Sequence, residues 1–419
     1  MGHRSALLLL CMLMLTAGCA APIGALAEGG APAPDPSDRS PLHDGDQPTE
    51  DDAAPHTTGA HHPDRTQRPL SAVYRQLGPT HQVSEMGLHV HDPSRIHRIG
   101  GRLTIAVTGK ENADGYTCGL ETWRYDVDDD AWSPGQCLLM DKPGWVGEQV
   151  PGNGGAYWAP AVASERRMYY AVSSGFDDGQ AHAIGMVEAE GPRSDLTWRD
   201  AGPILESVGA EANDQPEPVA IDPAVFTDDD GRQYLVYGGG HIWMTELDPA
   251  TGVPLAAAGW EADGPAFHHL ANGPQVDAAG TDVSADEELW VEAPFLYRHE
   301  DHYYLFVNWY ACCDGVDSTY EIRVGRSASP TGPFLDRDGV DMRDGGGTML
   351  LDRDGVILGD PRYIGPGHAG VYEHTDGGLA LSFHYYDATD DGTPKIGMAE
   401  LRFTDGWPQI VESGVDLNE

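Results

Sequence analysis

Positive charge is what this sequence lacks most. Its 419 residues carry 25 Lys+Arg against 67 Asp+Glu, a formal charge of −42. Only Lys110, Lys142 and Lys395 are lysines. Binding along a phosphate backbone needs a basic face, so nucleic acid is excluded as a partner. Docking on anionic headgroups through basic residues is excluded for the same reason. Such an acidic, lysine-poor surface stays hydrated at high ionic strength, and it fits a salt-adapted protein or simply an acidic exported one. Long apolar runs are also scarce. The one example, Ala6 to Leu15, is too short to span a bilayer. Gly (53) and Pro (31) are plentiful instead, which implies many turns and few long helices. Ten Trp and seventeen Tyr still provide for a packed core.

The N-terminus reads as targeting. His3 and Arg4 precede the apolar run, as in a signal peptide. The run ends in Leu15-Thr16-Ala17-Gly18-Cys19, which resembles a bacterial lipobox. Residues 1–18 are therefore expected to be removed, with a lipid on Cys19 as the only tie to a membrane. Residues 20–69 hold nine prolines and no Trp, Tyr, Phe or Cys. Residues 19–69 are read as a flexible tether, because they cannot bury enough surface to offset their ordering entropy. Four cysteines remain, Cys118, Cys137, Cys312 and Cys313, which allow three pairings. The economical one is Cys118–Cys137 with a bridge between the adjacent Cys312 and Cys313.

From about residue 70 the chain repeats. Leu103–Val107, Met168–Val172, Gln233–Tyr237, His302–Phe306 and Leu379–Phe383 are short aromatic or β-branched runs. Their starts lie 65, 65, 69 and 77 residues apart, about right for a four-stranded sheet with its loops. About ten residues before each run lies a second motif: His91-Asp-Pro93, Trp158-Ala-Pro160, Ile221-Asp-Pro223, Glu292-Ala-Pro294 and Pro366-Gly-His368. Five copies of one β unit predict an all-β, five-bladed β-propeller over residues 70–419. Residues at one repeat phase then converge on the axis. Asp92, Asp222, Glu292 and His368 are thus expected around one central funnel.

Three carboxyls in one funnel repel one another, so one should hold its proton at neutral pH. Glycoside hydrolysis needs that pairing: a carboxylic acid for the leaving oxygen and a carboxylate to activate water. Tyr157-Trp158 and Trp309-Tyr310 are expected to supply sugar-stacking faces.

These motifs resemble the family-43 glycoside hydrolases, and within them the endo-α-1,5-L-arabinanases. The likeness is carried by His91-Asp-Pro-Ser94, Trp158-Ala-Pro160, Ile221 to Gly231 and Glu292-Ala-Pro-Phe-Leu-Tyr297. It continues through Cys312-Cys-Asp-Gly315, Ser318-Thr-Tyr320, Arg323 to Ser327, Gly365-Pro-Gly-His368 and Asp405-Gly-Trp-Pro408. The resemblance implies an inverting hydrolase of arabinan, with Asp92 as general base and Glu292 as general acid. Asp222 would raise and orient the acid. His91, Tyr157, Trp158, Cys312, Cys313 and Ser318 would meet substrate, and His368 would sit by a central calcium ion held mostly through water. A monomer, exported and either lipid-anchored or extracellular, is expected. Lys110 to Val150 fits the usual first blade poorly and could remodel the cleft rim. The rivals are an exo-acting arabinofuranosidase, a β-xylosidase and a non-catalytic sugar-binding lipoprotein.

Overall fold

A computed structural model describes residues 90–411, apart from 113–114, 127–130, 176–179, 209–218, 256–266, 276–289 and 375–376. The expected signal segment 1–18, the lipidated Cys19 and the tether 19–69 lie outside the described residues.

Among the described residues, twenty strands form five four-stranded antiparallel sheets, each a simple meander. Blade one is β1 (His97–Ile99), β2 (Arg102–Asn112), β3 (Gly115–Asp126) and β4 (Ala131–Cys137). Blade two is β5 (Trp158–Ser164), β6 (Arg167–Ser173), β7 (Ala181–Glu190) and β8 (Thr197–Val208). Blade three is β9 (Ala224–Thr227), β10 (Gln233–Tyr237), β11 (His241–Leu247) and β12 (Phe267–Asn272). Blade four is β13 (Val291–His299), β14 (His302–Trp309), β15 (Glu321–Ser327) and β16 (Thr348–Leu351). Blade five is β17 (Tyr363–Glu373), β18 (Leu379–Asp387), β19 (Thr393–Thr404) and β20 (Trp407–Val411). The repeated aromatic run is the second strand of every blade: β2, β6, β10, β14 and β18.

Second strands read as unbroken apolar runs because sheets pack on both of their faces. Met168 to Val172 are all fully buried. The interior is accordingly five wedges, one between each pair of neighbouring blades. The wedge between blades five and one closes the ring: Tyr372 and Ile396 pack with Ile96, Ile105 and Trp123. The Val90 N–H also donates to Pro394 O at 3.1 Å. Each large apolar side chain buried there contributes roughly 1.5–3 kcal/mol. The tight β1–β2 turn falls on Gly100 and Gly101, whose φ of 59° and 82° favour glycine.

The unusual stretch 110–150 is the outer half of blade one. β3 and β4 are tied by the Cys118–Cys137 bridge, with Cα atoms 5.8 Å apart. Trp123 and Trp132 are core residues, and a short helix α1 (Gly144–Gln149) plugs Val146 into the wedge between blades one and two. None of its described residues lines the central pocket.

Candidate active site

The five inner segments share one backbone feature. Asp92, Ala159, Asp222, Ala293 and His368, one per blade, all have left-handed φ between 46° and 56°. Each such residue other than glycine costs about 1–3 kcal/mol, so the surroundings must hold it. Side chains from the preceding blade do so for four of them. Thr108 Oγ1 accepts the Ala159 N–H at 3.1 Å, and Asp222 Oδ2 accepts that of Ala293 at 3.0 Å. Asn308 Oδ1 accepts that of His368 at 3.0 Å, and His384 Nδ1 that of Asp92 at 3.2 Å. The kinked residue and the one before it form two tiers around the axis. Asp92, Asp222 and His368 belong to one tier; His91, Trp158, Ile221 and Glu292 to the other. Glu292 is therefore one residue out of the expected phase, which Ala293 occupies. All seven line one pocket of about 500 Å3.

The Asp92 side of this pocket is rich in donors. Thr108 Oγ1 donates to Asp92 Oδ2 at 2.6 Å. His91 Nδ1 lies 2.8 Å and His368 Nδ1 3.0 Å from Asp92 Oδ1. Burial alone would push the Asp92 pKa up, but the charges of His91 and His368 hold it well below the carboxylate range. His91 is fixed from behind by Tyr386, whose hydroxyl is 2.7 Å from Nε2 and accepts the Cys313 N–H at 2.8 Å. His384, buried and stacked on His91 with ring centroids 4.2 Å apart, has its pKa pushed far down by burial and by the His91 charge, and stays neutral.

The Glu292 side is rich in rings. Tyr320 OH donates to Glu292 Oε1 and Trp290 Nε1–H to Oε2, both at 2.6 Å. Burial pushes the Glu292 pKa up, against the pull of those two donors. Burial also lifts Asp222 to about 8, helped by the charges of Glu292 and Asp92 and opposed by His368. Buried carboxyls in one pocket resist ionising together, so both of these hold a proton more tightly than an exposed carboxyl does. Glu292 is the more exposed of the pair; Asp222 is 7% exposed. The pocket thus holds one ionised carboxylate opposite one protonated pair.

Of the expected substrate contacts, His91, Trp158, Cys312 and Cys313 line the pocket. Cys312 and Cys313 are bridged. Tyr157 does not reach it. Its side chain is fully buried, 5.1 Å from the Tyr170 ring, while its backbone pairs with Gly109 N–H and Gly119 O of blade one. Ser318 is buried as well, and its Oγ accepts the Asp314 N–H at 3.1 Å, which shapes the loop carrying the two cysteines. Trp309 and Tyr310 are buried rather than sugar faces, and Arg323 lies 4.4 Å over the Trp309 ring. Sequence reasoning missed Thr108, Asn308 and His384 near the pocket ends of the second strands, and gave no role to Trp290, Tyr320 or Tyr386.

His368 is the candidate cation site of the pocket. Its Nδ1 lies 3.0 Å from Asp92 Oδ1, and its Nε2 is 4.0 Å from Asp222 Oδ1. Burial would lower its pKa, but the Asp92 and Asp222 charges lift it to about 9. An imidazole ring between two aspartates fits a positive charge, whether a proton on the ring or an ion beside it. Calcium takes six to eight oxygens, which these residues cannot supply without water.

Comparison with known proteins agrees with this geometry. The description "Glycosyl hydrolases family 43" matches residues 95–408. The chain is 33% identical over 334 residues to the extracellular exo-α-(1→5)-L-arabinofuranosidase of Cellvibrio japonicus, covering 78% of this chain and 88% of that protein. It is 32% identical over 282 residues to the extracellular endo-α-(1→5)-L-arabinanase 1 of Bacillus subtilis, covering 66% and 76%. The solved structure of a Cellvibrio cellulosa α-L-arabinanase complexed with arabinohexaose superposes with a TM-score of 0.61 at 29% identity, covering 78% of this chain and 97% of that one. With its motifs, its five blades and its three axial carboxyls in one pocket, the chain belongs to family 43 of the glycosyl hydrolases.

Proposed function

We propose that this enzyme hydrolyses internal α-1,5-L-arabinofuranosidic links of arabinan in a single inverting displacement. The observation that carries the chemistry is the split pocket: Asp92, held by Thr108 and His91, shares it with Asp222 and with Glu292, which is held by Tyr320 and Trp290. Asp92 takes a proton from water as the water attacks the anomeric carbon. Its two oxygens are held by Thr108 and His91, which leaves the carboxylate fixed as a base. Glu292 gives its proton to the departing glycosidic oxygen, and Asp222 keeps that proton available by repelling a second negative charge. Inversion requires the two carboxyls far enough apart to admit the water, roughly 6.5–9.5 Å. Trp158 offers a ring to the sugar, and the Cys312–Cys313 segment walls the cleft.

The names of the relatives support arabinan as substrate, since both act on α-1,5 arabinose links and one solved neighbour holds arabinohexaose. One of the two is exo-acting, so the endo mode is the finer part of this reading. Both relatives are named extracellular, which supports export. Anchoring through a lipidated Cys19 belongs to the same proposal. A calcium ion near His368 would be held by the oxygens of Asp92 and Asp222 and by water. When bound it would supply a fixed positive charge between the two aspartates, the role the His368 proton can also fill.

The test is an early-time product profile on linear α-1,5-arabinan, beside Glu292→Ala and with and without chelator. Mixed oligosaccharides from the wild type alone are expected. Arabinose or one short product from the outset would favour exo action, and activity indifferent to chelator would remove the ion from the account.

A further inference from the structure

The far end of the propeller carries a second cleft, between blades one and two. It lies where the β1–β2 turn and the β7–β8 connection sit, at the opposite end of these strands from Asp92. Its volume of about 410 Å3 approaches that of the pocket, about 500 Å3. Its lining is unlike the rest of the chain. With 25 Lys+Arg in 419 residues, ten lining residues would hold fewer than one on average, yet Arg102, Arg124 and Arg193 are all there. Gln136, Ser194, Trp198 and one acid, Asp195, complete the polar and aromatic lining.

The fold places these groups deliberately close. Thr104 pairs with Arg124 across β2 and β3, and Arg102 is two residues from Thr104 on the same face. The two arginines are therefore diagonal neighbours on that face. Gln136 on β4 reaches across the cleft, its Nε2 donating to Leu196 O at 3.5 Å. Arg193 approaches from blade two with part of its charge met by Glu165, 2.7 Å away. Trp198 packs against the wedge between blades one and two and remains half-exposed to the cleft.

A guanidinium fork matches a carboxylate with two parallel hydrogen bonds, and an indole face accepts the apolar face of a sugar ring. At physiological ionic strength the charge elsewhere on the molecule is screened within about 8 Å, so local arginines decide what enters. We propose that this cleft binds a carboxylated sugar chain, an oligouronate, at a site separate from the catalytic pocket. The proposal does not depend on which neutral link the catalytic pocket cuts.

Calorimetric titration of the full chain with a short oligogalacturonate tests it. Saturable binding is expected, weakened about tenfold or more in Arg102→Gln/Arg124→Gln and by 0.5 M salt, as charge-assisted pairs require. Hydrolysis of a short neutral substrate by that variant should stay within about twofold of wild type, which also shows that it has folded. Arg102→Lys/Arg124→Lys should bind in between, since lysine keeps the charge but loses the fork. Absent binding, or equal affinity in the Gln variant, would overturn the proposal. Competition by inorganic sulfate as strong as by the oligouronate would overturn the sugar assignment, and equal competition by a neutral arabino-oligosaccharide would overturn the role of charge.

Discussion

The two sides of the catalytic pocket present the same functional group in opposite settings. Asp92 is buried among a hydroxyl and three imidazoles, and its carboxylate is stabilised. Glu292 is buried against Trp290 and Tyr320 with Asp222 close by, and its neutral form gains. Burial raises the proton affinity of both; the neighbours decide the outcome. A propeller suits this division. Asp92 takes its partners from blades one and five and Glu292 its two donors from blade four, so each carboxyl has its own environment.

The comparison can be broken most sharply at its ends. Asp92→Ala and Glu292→Ala should each lower kcat about 10²–10⁴-fold, the usual worth of a general base or acid, with the melting temperature little changed. Near-wild-type turnover in either would remove the assignment. Asp222→Asn should come next. It removes a carboxyl whose negative charge, appearing as the pH rises toward 8, opposes ionisation of Glu292, so the alkaline limb of the pH–rate profile should move to lower pH and kcat should fall. A limb moving upward would contradict the coupling.

Tyr320→Phe sharpens the same side with the opposite sign. The Tyr320 hydroxyl donates to Glu292 and favours its ionised form; without it the Glu292 pKa rises and the alkaline limb moves to higher pH. Thr108→Val acts on the other side. It removes the donor to Asp92 and the acceptor of the Ala159 N–H, so the acid limb should move up and stability should drop by about 1–3 kcal/mol, read by thermal unfolding. The smallest effect is expected from Tyr157→Phe. That ring lies outside the pocket, so kcat/KM should stay within about twofold of wild type; a large rise in KM would return Tyr157 to the substrate contacts.

Much of this was legible in the sequence, because a repeat converts distance along the chain into angle around an axis. Asp92, Asp222 and His368 each precede the start of their apolar run (Leu103, Gln233, Leu379) by 11 residues, and they share the kinked position. Glu292 precedes His302 by 10, and that one-residue difference marked its place in the adjacent tier. Tyr157 misled because a residue can share a phase and still turn its side chain into a wedge between blades. Thr108, Asn308 and His384 were less legible, since their partners lie 51, 60 and 292 residues away across blade boundaries. A signal existed all the same: a polar residue at the pocket end of an apolar second strand.

The most direct measurement is the anomeric configuration of the first sugar released, followed by proton NMR at early times on a short α-1,5-arabino-oligosaccharide. Asp92 as base and Glu292 as acid predict that the β-anomer appears first and mutarotates afterwards. The α-anomer appearing first would mean that a carboxylate attacks the sugar itself, and would contradict the roles assigned to both sides of the pocket.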